Sequence, residues 1–578
     1  MKKDNTQGVL QDLFDEVRPV LKRVLWFGLL VNLLSLAPTL YMLEVYDRVV
    51  NSRSTETLLM LTLLVLGMYL LMEVVDWVRG QMLHGAGLMV ERALGDRVFN
   101  AAFAANLRRY VGANNALADL RTLREFLPTP AVTAIMDAPM ASIFLLLLFL
   151  INPALGWFAL AIALLQTYLA YLTERSTQPP LMAANRMAIA AQSYAGSVLR
   201  NAQVIEAMGM LEDVQQRWMS KQRQFLYLQA LASDNAGGKG AAAKVLQNVL
   251  ASGLLGLACW LALQGELDAG GSMMIIASIL GGKVLAPLVQ VITQWKAVVN
   301  ARDAYQRIVK LLEQLPEREY GMSLPAPSGA LSVEAVVAGA PGSQAPILRG
   351  VNFALPAGRT LVIAGPSAAG KSTLARLLVG IWPAMAGKVR LDGADVHAWN
   401  KAELGPHIGY LPQGIELFDG TLAENIARFG EVDQAKVEAA ARAVGLHEII
   451  AALPGGYDAR IGEEGCFLSG GQRQRVGLAR AIYGEPKFVV LDEPNSSLDD
   501  AGEQALLQTL QALKQRGTTL VVITHRTSIL PVADAMLVLR EGQIALFGPR
   551  DEVLAALTKA QSAVQSTPPA LQAAPTGA

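Results

Sequence analysis

The stretch Gly365-Pro366-Ser367-Ala368-Ala369-Gly370-Lys371-Ser372 matches the pattern G-x-x-x-x-G-K-[ST]. It follows an apolar, strand-like run at residues 360–364 and precedes a helical run at residues 373–378. In that context the pattern predicts a phosphate-binding loop, because backbone N–H groups at a glycine-rich turn and a helix N-terminus attract phosphate oxygens. A chance glycine-rich turn is the alternative, and the flanking strand and helix argue against it.

This loop supplies the first candidate binding residues. Lys371 would reach the β- and γ-phosphates of a nucleotide, and Ser372 would ligate Mg²⁺. The candidate nucleotide-binding residues are Gly365, Pro366, Ser367, Ala368, Ala369, Gly370, Lys371, Ser372 and Thr373.

The composition predicts more than one domain and a membrane. A chain of 578 residues is too long for one core, and with 52% hydrophobic and 17% charged residues it is more apolar than an average soluble protein. The apolar excess lies in roughly the first half of the chain. The net charge is zero, which gives no support for nucleic-acid binding. Two cysteines, Cys259 and Cys466, give no disulfide framework, so the second half is expected in a reducing cytosol.

Six apolar runs are long enough to cross a hydrocarbon core of about 30 Å. They occupy residues 24–43, 58–77, 134–151, 154–172, 244–263 and 272–295. The third and fourth runs meet at Asn152-Pro153; one long hydrophobic hairpin is an alternative, but two helices joined by a tight turn fit the length better. Basic residues concentrate in segments 79–133 and 173–243, which predicts that these segments and both termini are cytosolic.

The remaining segments complete the predicted domain organisation. Both long basic connections have helical periodicity, so the spans are expected to continue into the cytosol and return as two deep hairpins. Residues 1–23 are expected to form a short cytosolic or interfacial helix rather than a cleavable signal. A linker at 316–330 separates the membrane region, 24–315, from a soluble domain at 331–558, and the tail at 559–578 is expected to be disordered.

Lys283 is the most notable polar residue within a predicted span. Gly281-Gly282 and Pro287 lie beside it and are expected to interrupt the apolar helix. An ammonium group that faces lipid is costly, so Lys283 is expected to face the bundle interior or a wet substrate passage. Snorkelling, or pairing with a carboxylate of another helix, is an equally good interpretation.

Polar residues also follow three strand-like runs of the second half. Gln413 follows the run 408–411, where it would sense Mg²⁺ and the attacking water. The apolar run 488–491 ends at Asp492, in the place of a Mg²⁺ ligand, and at Glu493, in the place of the general base. The run 520–524 ends at His525; a lone histidine there is usually structural, but its place in this ordered set indicates a γ-phosphate contact.

A second glycine-rich motif, Leu468-Ser469-Gly470-Gly471-Gln472, opens a predicted helix at residues 473–482. Two glycines at a helix N-terminus again predict an anion-binding end. The motif is far more specific in sequence than a generic helix cap.

In this order the motifs resemble those of the ATP-binding cassette (ABC) transporters, and the resemblance covers essentially the whole chain. It implies an all-α transmembrane domain of six helices with long cytosolic hairpins, as in type I ABC exporters, followed by an α/β P-loop NTPase domain. It also implies a homodimer that hydrolyses ATP, because the Leu468 to Gln472 motif of one subunit closes over ATP held by the other. The residues that would contact ATP in trans are Ser469, Gly470, Gly471, Gln472 and Asp499. The implied catalytic residues are Lys371, Gln413, Glu493 and His525, and the implied Mg²⁺ ligands are Ser372, Gln413 and Asp492.

The first span narrows the resemblance. Ser35-Leu36-Ala37-Pro38-Thr39-Leu40-Tyr41-Met42-Leu43-Glu44-Val45-Tyr46-Asp47-Arg48-Val49, followed by Ser52-Arg53-Ser54, is similar to the first-span signature of the inner-membrane ATPases of bacterial type I protein secretion. Within that group it looks like the branch that exports metalloproteases, lipases and haem-binding proteins. About 23 residues precede the span, so the N-terminal peptidase-like domain of related exporters is expected to be absent.

The function implied is ATP-driven export of an unfolded protein across the bacterial inner membrane, with a periplasmic adaptor and an outer-membrane channel as partners. A lipid or drug exporter with the same motor is the alternative. A nucleotide-gated channel that does not turn over is a third hypothesis, and Glu493 and His525 argue against it. One position departs from the family pattern: Ala340 stands where most cassettes stack an aromatic side chain on adenine.

Overall fold

The first half of the computed structural model is built from long helices, and the second half from two β-sheets with helices around them. The structure describes residues 2–108, 110, 115–266, 271–316, 321–343, 345–462 and 468–565. The chain divides into a helical unit of residues 1–106 and 111–317 and an α/β unit of residues 318–578, with which residues 107–110 are grouped.

Apolar helices make up the helical unit. Its α-helices in the described residues are α1 (Lys2–Leu34), α2 (Ala37–Glu44), α3 (Val50–Ser52), α4 (Thr55–Leu107), α5 (Ala116–Phe126), α6 (Pro130–Ile151), α7 (Pro153–Arg200), α8 (Ala202–Ala207), α9 (Leu211–Leu263), α10 (Gly271–Thr293) and α11 (Trp295–Gln314). Six stretches of these helices are long and apolar enough to cross a membrane: Phe14–Glu44, Thr55–Leu107, Pro130–Ile151, Pro153–Arg200, Leu211–Leu263 and Met273–Thr293. The six predicted spans are therefore confirmed by length and composition.

The junction between the third and fourth spans is a tight turn, as expected. Asn152 is extended and caps α7, because its side-chain oxygen accepts a hydrogen bond of 2.8 Å from the Ala154 N–H. Pro153 occupies the first position of α7, where its missing N–H costs no helical hydrogen bond. The alternative of one long hydrophobic hairpin is wrong.

The first span differs from the prediction at both ends. Helix α1 is continuous from Lys2 to Leu34, so no break separates a short surface helix from the span. Pro19 lies inside α1 without ending it. At the far end, α1 stops before Ala37, where α2 begins with Pro38 in its first turn, and a short π-helix, Val45–Val49, follows α2. Proline cannot donate the N–H that would have continued α1, which explains the break there.

The three longest helices, α4, α7 and α9, contain 53, 48 and 53 residues. At 1.5 Å per residue they are about 70–80 Å long, whereas the hydrocarbon core is about 30 Å thick. Each helix therefore continues well beyond the membrane, as the periodicity of the basic connections predicts.

The membrane core lies among α6, α7, α9 and α10, with fully buried side chains such as Leu148, Leu155 and Leu250. The prediction that Gly281, Gly282 and Pro287 interrupt the sixth span is wrong, because α10 is continuous through all of them. A Cβ atom on Gly281 would lie only 2.2 Å from Leu254 Cδ1, so this glycine permits close packing of α10 on α9.

A buried ion pair joins two of the apolar helices. Arg79 of α4 is 2% exposed, and its Nη2 donates to Oδ2 of Asp137 in α6 at 2.9 Å. A Cβ atom on Gly28 of α1 would lie 2.8 Å from Oδ1 of Asp137, so the glycine gives this carboxylate its space. Removal of Asp137 would leave the buried Arg79 with only Asp76, at 3.7 Å, and removal of Arg79 would leave Asp137 without its cation. Loss of one partner of a buried ion pair is strongly destabilising.

The α/β unit contains two sheets. Its strands are β1 (Leu331–Ala338), β2 (Leu348–Leu355), β3 (Thr360–Ala364), β4 (Ala386–Leu391), β5 (Ala394–Asp395), β6 (Ile408–Leu411), β7 (Phe488–Asp492), β8 (Thr519–Ile523), β9 (Ala535–Arg540) and β10 (Gln543–Pro549). The antiparallel sheet has the order β2-β1-β4-β5, and the second sheet has the order β10-β9-β3-β8-β7-β6. In the second sheet all neighbours are parallel except β9 and β10.

Eight helices accompany these sheets within the described residues. They are α12 (Lys371–Leu378), α13 (Lys401–Leu404), α14 (Leu422–Ile426), α15 (Gln434–Ala443), α16 (His447–Ala451), α17 (Gly470–Ile482), α18 (Asp500–Gln515) and α19 (Arg550–Gln565). Helix α19 extends seven residues past the boundary of the predicted tail, because Ala, Lys and Gln favour helix there. Residues 566–578 of that tail lie outside the described residues.

The predicted linker is fixed at its end by one carboxylate. Asp392 accepts backbone N–H hydrogen bonds from Ser328, Gly329 and Ala330 at 2.5, 3.1 and 3.0 Å. These donors, with the Ser328 hydroxyl, hold the pKa of Asp392 below its usual range although burial opposes them. Residues 317–320 of the linker lie outside the described residues.

Candidate functional site

The candidate site lies at one edge of the parallel sheet. The phosphate-loop motif follows β3, and Gln413 follows β6. Asp492 ends β7 and Glu493 comes directly after it, and His525 follows β8. These four strands are adjacent and parallel in the order β3-β8-β7-β6, so their carboxyl ends meet at the same edge. Ligands of open α/β sheets bind at such an edge. The structure therefore brings together the motifs that the sequence places up to 160 residues apart.

Glycine is required at both ends of the phosphate loop. Gly365 has a φ of +150°, and a Cβ atom there would lie 2.2 Å from the Leu539 carbonyl oxygen. Gly370 has a φ of +98°, and a Cβ atom there would lie 2.7 Å from Leu348 Cδ2. Ala368, between them, also adopts a positive φ of 64°. The loop is thus a strained, closely packed turn, which few other residues could form.

Lys371 closes this loop on itself. Its Nζ donates hydrogen bonds of 2.8 and 2.9 Å to the carbonyl oxygens of Gly365 and Pro366, and the residue is 7% exposed. Burial lowers the pKa of Lys371, while the charges of Glu493 and Asp492 oppose that shift. A buried ammonium at the centre of a turn is a ready partner for an anion that enters the loop.

Asp492 has the properties of a metal ligand. It is 3% exposed, burial raises its pKa, and a hydrogen bond with Ser372 opposes that shift. Its Oδ1 atom is buried and has no hydrogen-bond partner among the described residues. A buried carboxylate oxygen without a partner beside a serine hydroxyl is the donor set that Mg²⁺ uses in nucleotide sites, so these residues fit that ion.

Glu493 is held between two side chains from neighbouring strand ends. Its Oε2 accepts a hydrogen bond of 3.1 Å from Gln413 Nε2, and its Oε1 lies 3.5 Å from His525 Nε2. The backbone of Glu493 is in the left-handed region, with a φ of +51°, and its N–H donates to the Ile523 carbonyl at 2.9 Å. Such backbone strain in a non-glycine residue is concentrated at functional sites.

The second glycine motif forms the start of α17. Ser469 caps the helix, and a reciprocal capping box joins the Ser469 hydroxyl to the Gln472 N–H at 3.2 Å and Gln472 Oε1 to the Ser469 N–H at 2.9 Å. The helix begins at Gly470, three residues before the predicted start. A Cβ atom on Gly471 would lie 2.9 Å from the Ser497 carbonyl oxygen, so the glycine lets α17 approach the loop after β7.

Asp499 is engaged within its own unit. Its Oδ1 accepts a 2.9 Å hydrogen bond from the Gly502 N–H and so caps α18. The same oxygen accepts a hydrogen bond from Arg475 of α17. The Gly502 N–H and Arg475 lower the pKa of Asp499. Contact with a nucleotide of a second subunit stays a prediction for this residue.

Sequence reasoning missed Gln474, which connects α17 to the loop that carries Glu493. The side chain is 2% exposed, and its Nε2 donates to the Glu493 carbonyl at 3.1 Å and to Ser496 Oγ at 3.2 Å. Its Oε1 accepts a hydrogen bond of 2.7 Å from the Ser497 N–H. The sequence did contain a signal for this contact: Gln474 is a polar residue on the apolar face of a helix, next to a glycine motif. A buried amide at such a position requires hydrogen-bond partners.

Lys283 belongs to the helical unit, apart from the residues above. It is half-buried in α10, and within the part of the chain that the structure describes it has no hydrogen bond or ion pair. Lys283 is therefore not paired with any carboxylate of the described residues, and its orientation toward water stays a prediction.

Ala340 stands at the start of a tight turn. Its carbonyl accepts a 3.0 Å hydrogen bond from the Ser343 N–H, and Gly342 has a φ of +82°. Ala340 is half-buried and packs at the margin of the core around β1. No aromatic side chain is thus available at this position.

Two family models match the chain. The ABC transporter transmembrane region matches residues 24–284, and the ABC transporter model matches residues 348–496. The second match includes the phosphate loop, the α17 motif, Asp492 and Glu493.

Similar proteins have related descriptions. The type I secretion system ATP-binding protein PrsD of Rhizobium meliloti is 41% identical over 535 residues, which are 92% of each chain. The ATP-dependent lipid A-core flippase of Chromohalobacter salexigens is 37% identical over 322 residues, which are 55% of each chain. A solved bacterial Atm1-family ABC exporter with ATP bound has a TM-score of 0.82 at 23% identity and covers 96% of this chain and 100% of its own, which shows a shared fold.

The full-length likeness and both family matches agree with the six apolar helices and with the site at the sheet edge. The fold is that of type I ABC exporters, with a helical membrane domain before an ABC cassette. The chain is a multi-pass membrane protein that hydrolyses ATP to drive transport, and it belongs to the ABC transporter family.

Proposed function

We propose that this protein is the ATP-driven membrane component of a bacterial type I protein-secretion system, which exports an unfolded polypeptide. One observation supports ATP hydrolysis as the driving reaction: the Glu493 carboxylate is held between Gln413 and His525 beside the phosphate loop. The likeness to PrsD over 92% of both chains supports protein as the cargo.

ATP would bind with its phosphates in the loop from Gly365 to Thr373. Lys371 would exchange its hydrogen bonds to the loop carbonyls for bonds to the β- and γ-phosphates, because phosphate oxygens carry more negative charge than carbonyl oxygens. Ser372, Asp492 and Gln413 would hold Mg²⁺, which supplies charge neutralisation between the phosphates.

Glu493 would act as the general base toward the attacking water. Gln413 donates to one of its oxygens and so fixes the direction of the other. His525 would contact the γ-phosphate, since its imidazole is 47% exposed at the sheet edge and already lies beside the base. General bases within hydrogen-bond reach of water accelerate such steps by about 10²–10⁴-fold.

A second copy of the chain would complete the site. The N-terminus of α17 presents the N–H groups of its first turn, and Ser469, Gly470, Gly471, Gln472 and Asp499 would contact ATP held by the partner subunit. Closure of two cassettes on ATP and their release after hydrolysis would drive the membrane helices between two states. The cytosolic ends of the long hairpins would transmit this motion, and Lys283 would line the passage between the subunits.

The proposed location is the bacterial inner membrane, with both termini and the cassette in the cytosol. A periplasmic adaptor and an outer-membrane channel would continue the path to the outside. The distribution of basic residues along the chain supports this orientation.

A lipid exporter is the second candidate. The likeness to a lipid A-core flippase favours this function, and that likeness extends over 55% of the chain. The experiment that separates the two is the ATPase rate of the purified full chain with different additions. We expect stimulation by an unfolded secreted protein encoded beside this gene and none by the same protein without its C-terminal segment. Stimulation by lipid A or phospholipid, with no response to either polypeptide, would replace protein export by lipid export.

A further inference from the structure

A cavity of about 450 Å³ lies in the helical unit among α7, α9, α10 and the start of α11. Leu181 and Thr177 of α7 form part of its buried wall. The wall from α9 is made of alanine, glycine and one serine, of which Gly240 is buried. A Cβ atom on Gly240 would lie 3.8 Å from Thr293 Cγ2, so small residues keep the space between α9 and α10 open.

The rim of this cavity is positively charged. Lys244 of α9 and Lys296 of α11 both line it, and both are exposed. Neither lysine has an ion pair or a hydrogen bond within the described part of the chain, and no Asp or Glu is among the residues that line the cavity. The cavity therefore complements an anion.

The buried wall contains a polar group without a partner. Thr177 is 1% exposed, and its Oγ1 has no hydrogen-bond partner among the residues that the structure describes. A helical threonine commonly bonds the carbonyl four residues earlier, as Thr173 does to Leu169 at 2.8 Å. The Thr177 hydroxyl is thus an unused hydrogen-bond donor in the wall of the cavity.

The helices around the cavity are fixed by polar contacts. Pro180 in α7 has no N–H to donate to the Ser176 carbonyl, and Asn235 Nδ2 of α9 takes that place at 3.5 Å. Lys239 of α9 donates to the Ser176 hydroxyl. These contacts hold α9 against α7 at the level of the cavity.

The position along the helices indicates the source of the anion. Lys244 begins the fifth apolar span and Lys296 follows the end of the sixth, so both lie at the boundary between apolar and basic sequence. That boundary is the cytosolic one if the basic segments are cytosolic. Basic pockets between membrane helices on that side bind anionic lipid headgroups. A free phosphate would leave the apolar wall at Leu181 and the alanines unfilled.

We propose that this cavity binds the headgroup of an anionic phospholipid of the cytosolic leaflet. Lys244 and Lys296 contact the phosphate oxygens, and the Thr177 hydroxyl donates to the same group or to the headgroup beyond it. The adjoining glycerol and the first acyl carbons lie on Leu181 and the alanines of α9. None of the residues that line the cavity belongs to the proposed nucleotide site.

The test is native mass spectrometry of the detergent-solubilised full chain, titrated with phosphatidylglycerol or phosphatidylcholine. We expect selective retention of phosphatidylglycerol, about fivefold weaker after Lys244→Gln or Lys296→Gln and about twenty-five-fold weaker after both. The control pair Lys221→Gln and Lys310→Gln removes the same charge from the helical unit outside the cavity and is expected to leave retention unchanged. Thr177→Val is expected to weaken binding, and Thr177→Ser to preserve it.

Several results would overturn the proposal. If the wild type and the Lys244/Lys296 double variant retained phosphatidylglycerol equally, the proposed site would be wrong. It would also be wrong if the control pair, Lys221 and Lys310, lost as much lipid as the Lys244/Lys296 pair. Displacement of phosphatidylglycerol by inorganic phosphate at the same concentration would assign the cavity to a free anion. Absence of lipid from the wild type, together with a disulfide between two copies of Gly237→Cys, would assign it to a subunit interface.

Discussion

The imidazole Nε2 of His525 lies 3.5 Å from Oε1 of Glu493, at the ends of two neighbouring parallel strands. The two side chains are 47% and 26% exposed, so their attraction contributes little to stability. Gln413 donates to the other oxygen of the same carboxylate from the end of a third strand. The two contacts therefore orient the carboxylate and do little to stabilise the fold. A general base requires such a fixed orientation toward its water.

Glu493→Gln is expected to abolish turnover while ATP still binds. The amide has the shape of the carboxylate but cannot accept a proton, and loss of a positioned base costs about 10²–10⁴-fold in rate. Steady-state hydrolysis and nucleotide binding of the full chain measure the two effects. Glu485→Gln, at an exposed carboxylate paired with Arg516, is the matched control. Wild-type turnover in the Glu493 variant would remove this residue from the role of base.

Lys371→Ala is expected to weaken ATP binding itself. The variant loses the ammonium group and also the two hydrogen bonds that close the loop onto Gly365 and Pro366. Equilibrium binding of a fluorescent ATP analogue tests this, with Lys388→Ala on β4 as an exposed control. Unchanged affinity in the Lys371 variant would count against the assignment of the phosphate loop.

Gln474→Leu is expected to loosen the loop that carries Glu493. The substitution preserves volume but removes three hydrogen bonds: those to the Glu493 carbonyl and the Ser496 hydroxyl, and the one from the Ser497 N–H. The Glu493 carbonyl keeps only the 3.2 Å bond from the Ser496 N–H, and each lost hydrogen bond typically contributes about 0.5–1.5 kcal/mol. Hydrogen–deuterium exchange of residues 493–497 should rise and ATP turnover should fall. Gln508→Leu, at an exposed position of α18, should change neither. If residues 493–497 of the Gln474 variant exchanged hydrogen for deuterium at the wild-type rate, the loop would be held by other contacts.

The sequence predicted the elements whose chemistry is local. The strands at 360–364 and 408–411 have the bounds that their apolar runs predict, and Asn152-Pro153 marks a turn because both residues favour a helix start. The edge of the sheet could be inferred because parallel strands that end in polar residues share one edge.

Contacts between distant segments could not be predicted from a single sequence. Gln474 meets the Glu493 loop, and Arg79 meets Asp137, through packing that no local pattern encodes. The glycines beside Lys283 predicted a helix break, but the structure uses Gly281 for contact with Leu254. A glycine in a helix indicates either flexibility or close approach, and only the neighbouring helix decides between them.

Lys283→Cys is expected to react with small aqueous thiol reagents in at least one nucleotide state. The wild-type ammonium is half-buried and without a polar partner among the described residues, so we expect the water of a passage to solvate it. The background should carry Cys259→Ala and Cys466→Ala, since Cys259 is exposed. Leu285→Cys, at a position that is 0% exposed, serves as the buried control. Protection of position 283 in every state, equal to that of position 285, would favour a packed lysine.

The turn after β1 predicts weak selection of the nucleotide base. An aromatic side chain that stacks on a base contributes about 1–3 kcal/mol, and Ala340 cannot supply that contact. Recognition would then rest on the phosphates and Mg²⁺, so GTP should be hydrolysed at a rate comparable to that of ATP. Met385 is a candidate to contact the base in place of the aromatic ring. It is 49% exposed and lies next to the turn, since its Cε is 3.4 Å from where a Cβ atom of Gly339 would be.

Ala340→Tyr tests this directly, because position 340 is half-buried and lies outside the positive-φ region that a tyrosine would disfavour. The variant should bind ATP about five- to 150-fold more tightly, which is the range that 1–3 kcal/mol from one stacked ring would provide. Ala340→Leu adds apolar bulk without a ring and is the control. A strong preference for ATP over GTP in the wild type, unchanged by the tyrosine but lost in Met385→Ala, would show that the thioether side chain holds the adenine instead. Methionine can do so because its polarisable sulfur packs well against aromatic rings.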